Sequence, residues 1–206
     1  MAKEWWNKKN NIPYNSKNFQ SILDFYLFNC PSEIRTGNKG KGTLKYKKIS
    51  QRAITLRKQG WVKGKQNTLL SEMKKTSSKQ LEYYHCNTPE ELSMHLLNME
   101  KSIKLEDEHF EMIYLVQHTG MSKTSSIFYA IRNALAHGSF SVLNDKNGHA
   151  VYYFESSSMG TCKSRIRLRE KTLMDWIKLF NSSAEEIRAE NSKKTKEKKG
   201  SRQKAA

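Results

Sequence analysis

The sequence predicts a mainly α-helical domain that carries a small antiparallel β-sheet near its C-terminal end. Three observations predict it. Apolar residues recur at three-to-four spacing through Leu92, Leu96, Met99 and Ile103, and again through Ile127, Ile131 and Leu135, which is the period of a one-sided helix. Capping residues and glycine stops bracket these runs. Alternating or β-branched and aromatic stretches are confined to 140–168.

The elements follow in order. Asn15 or Ser16 caps a helix that runs to about Asn29 and is stopped by Pro31. Residues 35–48, RTGNKGKGTLKYKK, read as a flexible basic loop. Its Gly-Lys content does not make a phosphate loop, because Lys41 is followed by Gly42 rather than Ser or Thr and no apolar strand precedes it. Helices are expected over 44–59 and 66–85. Thr88-Pro89-Glu90-Glu91 is a helix start, with Thr at the N-cap, Pro at the first position and Glu at the third. Phe110, Ile113, Tyr114 and Val116 suggest another helix that ends near Gly120. A further helix begins at Ser122 or Thr124, reaches His137 and is stopped by Gly138. Strands are expected at Phe140–Leu143, Ala150–Phe154 and Lys163–Leu168, the first two joined by a turn over Asn144–Gly148. Arg165, Arg167 and Arg169 share one side of the third strand. The last helix, Lys171–Asn181, aligns Leu173, Trp176, Ile177 and Phe180. One domain over 1–182, its sheet at about 139–168, and a basic disordered tail over 183–206 are the expected organisation.

Of the 206 residues, 37 are Lys or Arg and 20 are Asp or Glu, a net charge of +17. Residues 1–65 alone hold 15 basic and 3 acidic side chains. Such a field draws polyanions. The longest unbroken apolar runs are far too short for a membrane span, and the first residues, MAKEWWNKKN, lack the apolar core of a secretory signal. No basic amphipathic helix with a bulky apolar face stands out, so RNA or DNA ranks above a membrane. Three cysteines, Cys30, Cys86 and Cys162, are an odd number without CxxC spacing. They are expected to be free thiols in a cytoplasmic, reducing compartment. His85, His95, His109 and His118 do not combine with those cysteines at zinc-site spacing, and no metal or other cofactor is expected.

One segment carries chemistry: Ser125-Ser126-Ile127-Phe128-Tyr129-Ala130-Ile131-Arg132-Asn133-Ala134-Leu135-Ala136-His137-Gly138. On a helix, Ile127, Phe128, Ile131, Ala134 and Leu135 face a core. The opposite sector holds Ser126, Tyr129, Ala130, Arg132, Asn133, Ala136 and His137, which is not the Lys/Glu face of a solvated helix. Small residues there admit a second surface. Asn133 and His137 are neighbours four apart, whereas Arg132 and His137 lie about 140° apart around the axis. Two copies packed face to face would pool that pair, which predicts a homodimer. Histidine moves protons near neutral pH, Arg stabilises phosphate oxygens as charge builds, and Asn orients either. His137 also sits in the last helical turn, where the dipole favours a cation. These are the needs of RNA cleavage by its own 2′-hydroxyl, without metal. Tyr129 on the same sector, and Lys39, Lys41, Lys45, Lys47 and Lys48 in the basic loop, are candidate RNA contacts, as is the lysine-rich 193–204 stretch.

Arg132-Asn133-Ala134-Leu135-Ala136-His137 resembles the Arg-x(4–6)-His motif of the HEPN superfamily, including the polar residue after the Arg. The resemblance implies a helical bundle, a metal-independent endoribonuclease acting as a homodimer with a composite site, and Arg132, Asn133 and His137 as its catalytic set. It implies products ending in a 2′,3′-cyclic phosphate and a 5′-hydroxyl. It further implies a place in a toxin–antitoxin or antiphage module, with an antitoxin or regulatory partner. The alternative is a HEPN-like RNA-binding, scaffold or regulatory subunit that does not cleave.

Overall fold

The computed structural model describes residues 15–37, 45–61, 66–77, 81–102, 111–183, 185–187, 189 and 192. Helix α1 (Ser16–Ile22) continues as a π-helical segment (Leu23–Phe28) and leads to strands β1 (Glu33–Thr36) and β2 (Lys45–Lys48). Helix α2 (Gln66–Thr76), strand β3 (Leu81–Cys86), helix α3 (Pro89–Ser102), strand β4 (Glu111–Val116) and helix α4 (Lys123–Ala136) follow. Strands β5 (Phe140–Asn144), β6 (Ala150–Ser158) and β7 (Thr161–Arg169) precede helix α5 (Glu170–Asn181).

The architecture is α/β, which corrects the expected mainly α-helical bundle. Strands β3 and β4 are parallel, with Leu81 opposite Glu111 and Cys86 opposite Val116, and α3 makes the crossover between them. β4 continues antiparallel to β7, β7 to β6 and β6 to β5, giving a five-stranded mixed sheet in the order β3-β4-β7-β6-β5. The β-structure thus extends beyond 139–168. The reason for the misreading is physical. Met112 and Tyr114 pack towards α3, while Ile113 and Leu115 pack into the layer of the other helices. A strand covered on both faces needs no polar alternation, and a six-residue apolar run can be read as helix or strand. The expected helix over 66–85 ends at Thr76 for the same reason, because LEYYHC is the neighbouring strand.

The basic 35–48 loop and the expected 44–59 helix are also corrected. β1 and β2 form an antiparallel ribbon, Glu33 opposite Lys48 and Thr36 opposite Lys45, and turns follow it. Elsewhere the local signals match the structure. Asn15 Oδ1 accepts the Lys17 and Asn18 N–H groups at 3.0 and 3.1 Å. Thr88 Oγ1 accepts Glu91 N–H at 3.3 Å while Glu91 Oε2 accepts Asn87 N–H at 3.1 Å, a variant of the capping box in which the Glu reaches one residue before the N-cap. At the end of α4 the Ser139 N–H reaches Ala134 O (2.8 Å) and Gly138 N–H reaches Leu135 O (3.3 Å), with Gly138 at φ +66°. This is the six-to-one and five-to-two closure that a left-handed glycine permits.

The main core lies between one sheet face and α1, the π segment, α2, α4 and α5; α3 covers the other face. Asn29 N–H bonds Asp24 O at 2.9 Å, five residues back, and this wide turn lets consecutive Phe25 and Tyr26 both enter the core. Phe25 meets Tyr26, Phe180 and Phe128 edge-on at 4.9, 5.2 and 6.1 Å. Two of the buried polar tips in this core find backbone acceptors: Tyr26 Oη donates to Leu173 O at 2.9 Å and Trp176 Nε1 to Met73 O at 3.0 Å. Beyond α5, Ser183 and Glu186 cap each other's N–H groups, and Ile187 is buried in this core, so packing extends past 182. Residues 193–206, part of the expected disordered tail, lie outside the described residues.

Burial pushes the Cys30 thiol up to about 12, with Ser32 hydrogen bonds and the Arg132 charge opposing it. Burial also pushes Tyr83 up to about 12 and raises Tyr26 and Tyr114. All four groups hold their protons in the folded chain and lose them earlier when unfolded. Their stabilising contribution is therefore complete below the unfolded thiol range and declines as pH rises towards the folded values. The urea midpoint should fall between about pH 8.5 and pH 11, with the first decrease near the unfolded thiol pKa of about 8.5. A midpoint constant over that range would contradict the burial of these groups.

Candidate active site

Ile127, Phe128, Ile131, Ala134 and Leu135 enter the core, as the helical period predicts. Ser126 and Ala130 are buried as well, at 2 % and 7 % exposure. The sequence assigns those small residues to a second interface. The surface that approaches them is the chain's own sheet, with β4, β6 and β7 packed against α4 and the His118 N–H 3.4 Å from Ser126 Oγ. Arg132 and Asn133 are half-buried, and Ala136 and His137 are exposed.

Beside this helix lies a cleft of about 610 Å³. Tyr129, Arg132, Asn133 and His137 line it from α4. Val116–Thr119 line it from the end of β4, and Asn87 and Pro89 from the end of β3. Ser156–Ser158 and Lys163–Ser164 close it from β6 and β7. It therefore opens at the carboxyl ends of the two parallel strands, the place where open α/β sheets hold ligands. The cleft follows α4 from Ser126 to His137, so Arg132 and His137 of a single chain share it despite their five-residue offset. Two copies are not needed to bring that pair to one cleft.

The electrostatics are one-sided. Arg132 and Lys163 line the cleft, and no Asp or Glu does among the described residues. Arg132 Nη1 donates to Asn133 Oδ1 at 3.1 Å, while its buried Nε has no hydrogen-bond partner among the described residues. A half-buried guanidinium without a carboxylate is a ready anion site, and Asn133 fixes its fork.

Of the remaining predicted residues, Lys45, Lys47 and Lys48 are exposed on β2 and do not line the cleft. Lys39 and Lys41 lie outside the described residues. Three features escape the sequence. Ser156–Ser158 form a hydroxyl-rich wall. Lys163 is the unmatched residue of a β-bulge, since Ser156 pairs with Ser164 and Ser157 with Cys162. His118 lies two residues past the end of β4, where its ring meets Tyr129 edge-on at 4.9 Å. The available signal for His118 was the turn Gln117-His118-Thr119-Gly120 after an apolar run, which marks a strand end as readily as a helix end.

No family model, curated protein or solved structure matches this chain.

The His118 turn is tightly held. Met121 N–H bonds His118 O at 3.1 Å, and Gly120 occupies the third position at φ +81°. Arg35 N–H bonds Gly120 O at 2.9 Å, and a Cβ on Gly120 would stand 2.8 Å from Arg35 O. Gly120→Ala should therefore destabilise the chain by about 1–3 kcal/mol, read from its denaturation midpoint, through backbone strain and this clash. A stability equal to that of wild type would show that the turn is not held as described.

Proposed function

We propose that this chain is an endoribonuclease that cleaves RNA by attack of the 2′-hydroxyl on the adjacent phosphate, without metal. The observation that carries the reading is the Arg132 guanidinium, braced by Asn133 and sharing with His137 a cleft that no carboxylate lines among the described residues. In the proposed reaction Arg132 holds the phosphate oxygens as charge accumulates on them. Asn133 sets the guanidinium plane. His137 supplies the proton taken by the departing 5′-oxygen. Tyr129 offers a ring on which a base can stack, and Lys45, Lys47 and Lys48 offer sequence-independent phosphate contacts along the exposed ribbon.

The motif resemblance to HEPN proteins supports the same chemistry. Through it we also assign the chain to a toxin or antiphage module, with an antitoxin or regulatory partner and a homodimeric assembly. Among the described residues no helix is long and apolar enough to cross a membrane. The three free cysteines support a cytoplasmic setting. A second reading, RNA binding without cleavage, is favoured by one observation: the exposed His137 ring has no hydrogen-bond partner among the described residues to orient it.

RNA incubated with the protein and EDTA should be cut to 2′,3′-cyclic phosphate and 5′-hydroxyl ends. His137→Ala should spare it, and Arg132→Ala should slow cleavage by about 10²–10³-fold, the range for removing one charge-stabilising donor. Intact RNA with the wild-type protein across many substrates would favour the non-cleaving reading. Separately, sedimentation should give twice the 24.0 kDa chain mass; a strict monomer would remove the homodimer.

A further inference from the structure

The cleft contains a second histidine. The His118 ring is oriented from two sides. Its Nδ1 lies 2.9 Å from Thr119 O, and Tyr129 meets the ring at 80°. A carbonyl only accepts, so Nδ1 carries the proton of the neutral ring, and Nε2 is left with a free lone pair. The backbone beneath it is fixed by the Met121 N–H bond to His118 O and by the close approach of Gly120 to Arg35.

The position of His118 along the site is equally informative. Tyr129, Asn133 and His137 are spaced by four, so they form one stripe of α4, each step rising about 6 Å. His118 touches that stripe at Tyr129. Arg132 and Asn133 stand midway, and His137 stands at the far end. One wall of the cleft thus presents an imidazole, a guanidinium and a second imidazole in sequence. An in-line displacement at phosphorus needs a base on the attacking side, a cation at the phosphate and an acid on the leaving side.

We propose that His118 is the general base of the reaction and that it completes, with His137, an acid–base pair within one chain. This rests on the RNA-cleavage reading. His118 Nε2 takes the 2′-hydroxyl proton as O2′ attacks phosphorus. The phosphorus–O5′ bond breaks, and O5′ takes a proton from His137. The products are the 2′,3′-cyclic phosphate and the 5′-hydroxyl; exchange with water returns both histidines to their starting states. The charged and titratable groups facing His118 across the cleft are Tyr129, Arg132 and His137 on α4 and Lys163 on β7.

The test compares wild type, His118→Gln and His137→Ala in single-turnover cleavage of an RNA oligonucleotide, with pH–rate profiles. Binding of the same RNA carrying 2′-O-methyl groups and thermal melts are measured in parallel. His118→Gln should lower the cleavage rate by about 10²–10⁴-fold and abolish the rise of rate with pH on the acid side. Its affinity for the methylated RNA and its melting temperature should match wild type. Mixing His118→Gln with His137→Ala should restore nothing. A wild-type rate and profile in His118→Gln, with His137→Ala inactive, overturns the base assignment and leaves the cleavage reading intact. Loss of RNA affinity in step with rate also overturns it, since His118 would then only hold substrate. Activity recovered on mixing overturns the single-chain pairing. Absence of cleavage by wild type overturns the underlying reading itself.

Discussion

Helix α4 is held by the sheet, by the π segment and by α2, and most of its circumference is out of water. That confinement governs the rest of the structure. It explains why Thr124, Ser125 and Ser126 are buried in the first turns, where a solvated helix would carry charge. It leaves a narrow polar strip, and that strip bears Tyr129, Arg132, Asn133 and His137. Rigid packing behind side chains keeps them in fixed positions relative to one another. Here the packing comes from aromatic contacts of Phe128 with Phe25 and Phe180, on the side of the helix away from the cleft.

How much of this was legible depends on where each signal resides. α4 was readable because its cap, period and glycine stop all agree: Ser122 accepts Ser125 N–H, and Gly138 closes the last turn. The β5–β6 hairpin was readable from its turn residues, and Asp145 Oδ1 does accept the Asn147 and His149 N–H groups. β3 and β4 were not readable, because what makes them strands is their partners. Ile113 has Ile166 beside it and α4's layer in front; nothing within six residues reports that. The cost of that miss fell on the site. With β4 read as helix, His118 is a stray histidine rather than the second residue past the end of a parallel strand. Arg132 and His137 were legible by type and spacing, but the wall that joins them comes from strands far away in the chain.

Net charge is a coarse guide because partners cancel it locally. Arg57 forks onto Glu33 at 3.3 and 2.9 Å, Arg165 Nε donates to Glu155 at 3.0 Å, and Arg169 lies 3.7 Å from Asp145. Arg167 lies over the Tyr153 ring. Arg165, Arg167 and Arg169 lie on β7 and Arg57 in the turns after β2, each next to a side chain that takes up its charge or covers it. Arg132 differs in having a neutral amide as its companion. The distinction between a structural and a chemically available arginine thus lies in its neighbours, which composition does not record.

The extra residue in β7 has a wider meaning. Because a pleated strand alternates sides, one surplus position reverses the sense of everything beyond it. Cys162 is thereby turned under α3, and Lys163 is released from the ladder to line the cleft. Whether a positive charge overlooks the cleft is consequently decided by counting rather than by identity. Loss of one residue from that strand would return Lys163 to the paired ladder, so strand length governs the charge that the cleft presents to solvent.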